Sequence, residues 1–130
     1  MESALRSALV AALGSDPQLA ALLNAVVEEG PSPAPPPALA LVASAGTDWS
    51  SKTSTGREIR VALELTARSD EPGPAAAIAA RIEQCIATLA PQQDGFRIVT
   101  TAFLRSRTER RARSARAILL EYAFRVIADQ

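Results

Sequence analysis

Residues 57–68 read Arg-Glu-Ile-Arg-Val-Ala-Leu-Glu-Leu-Thr-Ala-Arg, and their alternation decides the fold. Ile59, Val61, Leu63, Leu65 and Ala67 alternate with Glu58, Arg60, Ala62, Glu64, Thr66 and Arg68. Successive side chains of a strand point to opposite faces, so a period of two sets one face on a core and leaves the other wet. The wet face carries both charge signs, which suits solvent or a neighbouring subunit.

Toward the C-terminus, Ser69–Pro74 is a turn. Beyond it the spacing predicts a helix from Ala75 to about Ala90, with Ile78, Ile82, Cys85, Ile86 and Leu89 on one stripe. Cys85 on that stripe reads as a buried structural thiol. Pro91–Gly95 closes the helix, and two strands follow at about 96–106 and 114–127. In the last strand Ile118, Leu120, Tyr122, Phe124 and Val126 share one face, and Glu121 and Arg125 share the other.

Toward the N-terminus, residues 45–56 read as a polar loop and residues 38–44 as a short strand. Before them lies a Pro-rich connector at about 30–37, with five prolines in the seven residues Pro31–Pro37. Such a run fits neither a helix nor a central strand. Leu5, Leu9 and Leu13 mark a helix over 2–13, ended by Gly14. Ser15 or Asp16 caps a second helix, with Pro17 at its first position, running to about Val27. Glu28-Glu29 then reads as a solvated pair at the C-terminus of that helix.

The expected order is α-α-β-β-α-β-β. It predicts an α+β fold in one domain over residues 1–130: a four-stranded, mainly antiparallel sheet with helices packed on one face. Open sheet edges in so small a sheet need blunting or a partner subunit.

The composition narrows the chemistry. The 130 residues hold 14 Lys+Arg against 14 Asp+Glu, no His and one Cys. Without His there is no imidazole catalysis, and one Cys makes neither an internal disulfide nor a thiolate metal cluster. A balanced charge argues against nucleic-acid binding across the whole surface. The balance is a sum of two unlike parts. Residues 1–56 carry two cations and five anions, a net of −3, while residues 57–130 carry twelve cations and nine anions, a net of +3. Opposed halves suit a subunit that meets copies of itself or oppositely charged neighbours. No Gly-rich phosphate loop, nucleophile elbow or paired carboxylates stand out, so the expectation is a non-enzyme with no cofactor, no metal and no membrane partner.

Two segments stand out as contact candidates. Trp49, the only Trp, lies in the polar loop, and exposed Trp favours interface anchoring; it can equally fold back over its own core. The run 105–116 holds Arg105, Arg107, Arg110, Arg111, Arg113 and Arg116 with one acid, Glu109. It reads either as an intersubunit or solvated turn, or as a basic finger that tracks DNA phosphates.

Asp48-Trp49-Ser50-Ser51-Lys52-Thr53-Ser54-Thr55-Gly56-Arg57-Glu58, with the alternating strand after it, resembles the tail completion proteins, or tail terminators, of long-tailed phages. The resemblance extends to the tail terminator of gene transfer agents, phage-derived particles that package host DNA. It implies a structural role in the neck or tail of a phage-like particle assembled in the bacterial cytoplasm. It also implies a homo-hexameric ring that stops tail-tube polymerisation and joins the tube to the head-side stopper or connector, with DNA passing transiently through the lumen. Asp48, Trp49, Lys52 and Arg57 become candidates for subunit or tube contact. Arg105, Arg107, Arg110, Arg111 and Arg113 become candidates for the lumen or the subunit seams. The competing readings are another neck component (a head–tail stopper or minor tail protein) and a small DNA-binding protein. The Pro-rich run departs from the family pattern, which has a shorter lead-in to the first strand.

Overall fold

The alternating stretch forms the middle of a five-stranded mixed sheet in the computed structural model, which describes residues 1–28, 34–68 and 72–130. The elements in chain order are α1 (Glu2–Ser15), α2 (Pro17–Leu22), β1 (Ala25–Glu28), β2 (Ala38–Asp48), β3 (Gly56–Arg68), α3 (Pro72–Ala87), β4 (Phe96–Arg111) and β5 (Ala115–Ala128). The strands lie in the order β1-β2-β3-β5-β4. β3 pairs antiparallel with β2 on one side and with β5 on the other, and β4 pairs antiparallel with β5. β1 pairs parallel with β2, Ala25 opposite Ala38 and Glu28 opposite Leu41.

This corrects the expected four-stranded, mainly antiparallel sheet and its order α-α-β-β-α-β-β. The second helix stops at Leu22, where Leu23 turns extended at φ −104° and ψ 141°. The chain then enters β1 instead of continuing helical to Val27. Leu19, Leu22, Leu23, Val26 and Val27 fit a helical stripe by spacing, but Val26 and Val27 are β-branched and favour a strand. Four residues are too few to display a period of two. The β1–β2 connection, residues 29–37, is also shorter than the dozen or more residues usual between parallel strands. Glu28 is therefore the last residue of an edge strand, whereas Glu29 lies outside the described residues. So do residues 30–33 of the Pro-rich connector and residues 69–71 of the turn before α3. The remainder of the connector is fastened at its far end: the Asn24 amide donates to the carbonyls of Pro35 and Pro36, and the Asn24 backbone N–H donates to that of Pro37.

One apolar core joins the layers. Leu5, Leu9 and Leu13 of α1, Leu19 of α2, and Ile78, Ile82 and Ile86 of α3 are buried over the sheet. The sheet meets them with Leu39 and Leu41, with Ile59, Val61, Leu63 and Leu65, and with Leu120, Tyr122, Phe124 and Val126. Truncating any of these leucines to Ala would cost about 2–5 kcal/mol.

Two charged clusters pin the helices to that core. Asp16 caps α2 by accepting from the Leu19 N–H at 3.0 Å, and its carboxylate takes the Arg81 guanidinium of α3 at 3.0 Å and 2.5 Å. One carboxylate thus both starts a helix and ties it to another. On the other side, Arg6 of α1 reaches Glu28 of β1 at 2.8 Å and donates to Ser44 Oγ of β2 at 3.1 Å, while the Ser44 hydroxyl donates to Glu2. Cys85 is half-buried beside the Asp16–Arg81 pair, and burial raises its thiol pKa, which keeps it protonated.

The hydrogen bond from Arg81 holds the Asp16 carboxyl well below its ordinary value of 3.8. A carboxylate depressed in the folded state adds stability above its unfolded pKa and loses that contribution as pH falls toward the folded value. Asp16→Asn keeps a capping side chain but removes the charge. It should lower Tm by a few degrees at pH 7, and the gap to wild type should narrow as pH drops below about 4. Thermal unfolding at pH 7 and pH 3 checks this; a gap of constant size across that range would refute the ionic role.

Candidate interaction surface

The three helices of the described residues contribute to one core, and among those residues the other face of the sheet has no helical layer. Register and alternation place Glu58, Arg60, Ala62, Glu64, Thr66 and Arg68 of β3 on this outer face. Leu119, Glu121, Ala123 and Arg125 of β5 lie beside them, followed by Arg105, Arg107, Glu109 and Arg111 of β4. Opposite charges fall on neighbouring strands. Arg105 pairs with Glu121 directly across the β4–β5 ladder. Arg111 reaches Glu64 at 2.6 Å and Glu109 at 3.3 Å, and Arg107 reaches Glu109 at 2.5 Å. The Arg111–Glu64 pair crosses β5 diagonally, from Ala115 opposite Arg111 to Leu119 opposite Glu64. Exposed pairs of this kind contribute little to stability, but they neutralise a face that would otherwise repel itself. A groove of about 590 Å³ crosses the face and is lined by Ala43, Arg60, Ala62, Leu104, Arg105 and Glu121.

Residues 49–55 close one end of this face. Trp49 is half-buried: its backbone N–H donates to the Gly56 carbonyl at 3.0 Å, and the Arg125 guanidinium stands 5.3 Å from its ring centroid. A cation over an indole face is an attractive electrostatic contact. The Ser50 hydroxyl accepts from the Gly56 N–H at 3.0 Å and donates to Asp48 Oδ1 at 2.7 Å. Lys52 sits exposed at the tip, where the Ser51 N–H donates to the Ser54 carbonyl. Asp48 and Arg57 are register partners at the β2–β3 end, and both are exposed. The structure thus brings Asp48, Trp49, Lys52 and Arg57 to one end of the sheet.

The five candidate arginines of the β4–β5 hairpin separate into two sets. Arg105, Arg107 and Arg111 belong to the ion-paired outer face. Arg110 lies on the opposite face of β4, across from Arg116. Arg113 sits in the turn itself, where it and Ser114 adopt φ of 61° and 59°. Left-handed residues in a short loop suit the right-handed twist of a hairpin. Arg110 and Arg113 make no ion pair among the described residues.

Sequence reasoning missed two participants. Arg125 reads only as a wet-face charge, and its place over Trp49 depends on strand register. Gly56 stands out by its size: a Cβ there would run into the Trp49 carbonyl oxygen and approach its Cε3 to 3.2 Å. Among the described residues, no group of three or more His, Cys, Asp or Glu side chains is placed to hold a metal ion. No helix among the described residues is long and apolar enough to cross a membrane.

A family model described as tail completion protein gp17 matches residues 7–127. Among solved structures, a chain from the virion of a native gene transfer agent (GTA) particle is similar, with 26% identity and a TM-score of 0.80. The alignment covers 97% of this chain and 96% of that one. A search of curated proteins finds no match.

The crowding at Gly56 makes a direct prediction. Gly56→Ala forces the Trp49 backbone off β3, an overpacking change that costs about 1–3 kcal/mol. Denaturant unfolding should show that loss, and the emission of the single Trp should shift as the indole leaves Arg125. Unchanged stability and emission would mean that the close approach is not a constraint.

Proposed function

We propose that this chain, which belongs to the tail completion protein gp17 family, is a subunit of a closed ring at the head-proximal end of a tail tube. The ring stops tube polymerisation, presents a surface to the head-side stopper or connector, and leaves a lumen through which DNA passes. The observation that carries this reading is the family match over residues 7–127. The family gives a structural, tail-associated role in a phage-like particle, in contact with other tail or neck components. Similarity along nearly the whole chain to a chain of a gene transfer agent particle supports the same setting.

The chain's own residues fit a ring subunit. Rings form from heterologous contacts, in which one surface meets a different surface on the next copy. The N-terminal half, net −3, supplies β1 and β2, and the C-terminal half, net +3, supplies β3, β5 and β4. The two sides of each subunit therefore differ in charge, as complementary contact surfaces do. Asp48, Trp49, Lys52 and Arg57 form one contact region, toward a neighbouring subunit or the tube. Arg110 and Arg113, which make no ion pair among the described residues, serve the lumen or the seams. Arg105, Arg107 and Arg111 are held by acids of their own subunit and shape the outer face.

Electron microscopy of particles made without this protein tests the ring-forming role. Tails of uncontrolled length that lack heads are expected, whereas tails of normal length with heads attached would overturn it. Localisation to the head side of the connector would favour another neck component. The division of the arginines has its own test. Charge reversal at Arg110 and Arg113 should leave Tm unchanged and reduce the yield of filled particles, whereas reversal at Arg111 should lower Tm by bringing its new carboxylate against Glu64 and Glu109. Equal behaviour of the two variants would remove the distinction.

A further inference from the structure

The two edges of the sheet differ in a way that specifies how one copy meets the next. β4 is the edge strand on one side and β1 the edge strand on the other. In β4 every residue from Val99 to Thr108 is exposed. Within it, Val99-Thr100-Thr101-Ala102-Phe103-Leu104 carries no charge and no proline, and Val99, Phe103 and Leu104 are among the exposed large hydrophobics, at 38%, 47% and 41%. An uncharged, apolar edge of this length is a template for pairing with another strand. Soluble proteins usually blunt such edges with Lys, Pro or a covering loop, and here the arginines flank the segment without interrupting it.

β1 offers the matching strand. Its Ala25, Val26 and Val27 are apolar and only partly buried, and β2 is its one partner within the sheet. Strand directions decide the geometry. β1 runs parallel to β2, β2 and β5 both run antiparallel to β3, and β4 runs antiparallel to β5. β1 and β4 therefore point in opposite directions. Copies placed side by side in one orientation, as a ring requires, bring the β4 edge of each against the β1 edge of the next as an antiparallel pair. A β4–β4 contact would instead need one copy inverted, and it would close as a dimer. Charge agrees with the head-to-tail choice. In the antiparallel pair, Glu28 at the end of β1 lies toward the Arg97 end of the uncharged segment, and Arg97 is exposed and makes no ion pair among the described residues.

We infer that β1 of one copy adds to the β4 edge, at Val99–Leu104, of the next copy, so that neighbouring subunits share a continuous sheet. This rests on the ring reading above and names the contact that closes the ring. Main-chain hydrogen bonds supply the adhesion, and Val26 and Val27 against Val99, Phe103 and Leu104 supply apolar burial.

Cross-linking in a Cys85→Ser background tests it. The double variant Val27→Cys with Thr100→Cys, both on the outer face of the shared sheet, treated with a bifunctional maleimide spanning about 8 Å, the reach of a diagonal cross-strand pair, should give a ladder from dimers up to the ring. Each single-cysteine variant should stay uncross-linked. Dimers from Thr100→Cys alone would show β4 pairing with itself and overturn the inference. Absence of cross-links in a double variant whose native mass shows intact rings would overturn the shared edge and leave the ring standing. A native mass of one copy, in solution and in purified particles alike, would remove both. As a second measure, Thr101→Lys with Phe103→Lys places two cations on the edge. It should abolish the oligomer while far-UV circular dichroism stays that of wild type, and an unchanged oligomer in a folded variant would overturn the inference.

Discussion

A sheet covered on one side only must satisfy two environments with the same strands, and β3 does so for the whole molecule. It is hydrogen-bonded on both sides along its length, so its register fixes β2 and β5 and, through β5, the position of β4. Its inner residues, Ile59 to Leu65, supply the floor on which the three helices lie. Its outer residues, Glu58 to Arg68, supply the first row of an ion-paired surface. Moving β3 by one residue would exchange the two sets, burying carboxylates and exposing leucines. Each other element is tolerated because this strand is held in place.

Much of that architecture was legible in the residues. The alternation of 57–68, the stripe of Ile78, Ile82 and Ile86, the apolar face of Ile118–Val126 and the Asp16-Pro17 cap each state a local preference that packing then reinforces. What escaped was decided by partners rather than by composition. β1 is four residues long and shows no period. β2 continues through Ala45-Gly46-Thr47-Asp48, a stretch with loop-like composition, because β3 opposite it continues to Gly56. β4 continues through the Arg-rich residues 107–111 for the same reason, with β5 as its template.

The contact regions were legible as residue types but not as roles. A count of arginines in 105–116 marks a basic segment and cannot say that Arg111 is bound to Glu64 of a strand more than forty residues earlier. Trp49 is conspicuous as the only Trp, yet its resting place depends on Gly56 leaving room and on Arg125 lying on the right face of β5. These are properties of register, which emerges only when the strands are assembled. Chemistry that depends on cross-strand neighbours is accordingly the last thing a sequence discloses.

Asn24 gathers the carbonyls of Pro35, Pro36 and Pro37 immediately before β2 begins. The clasp fixes both ends of the connection locally: β1 starts beside Asn24, and β2 starts beside the residues that Asn24 holds. Chain length between the end of β1 and the clasp is therefore decoupled from the pairing of β1 with β2. Each doubling of loop length adds only about 0.6 kcal/mol of closure entropy. The segment is thus a site where insertions can accumulate in a lineage at little energetic cost, and the Pro-rich run occupies that permissive position.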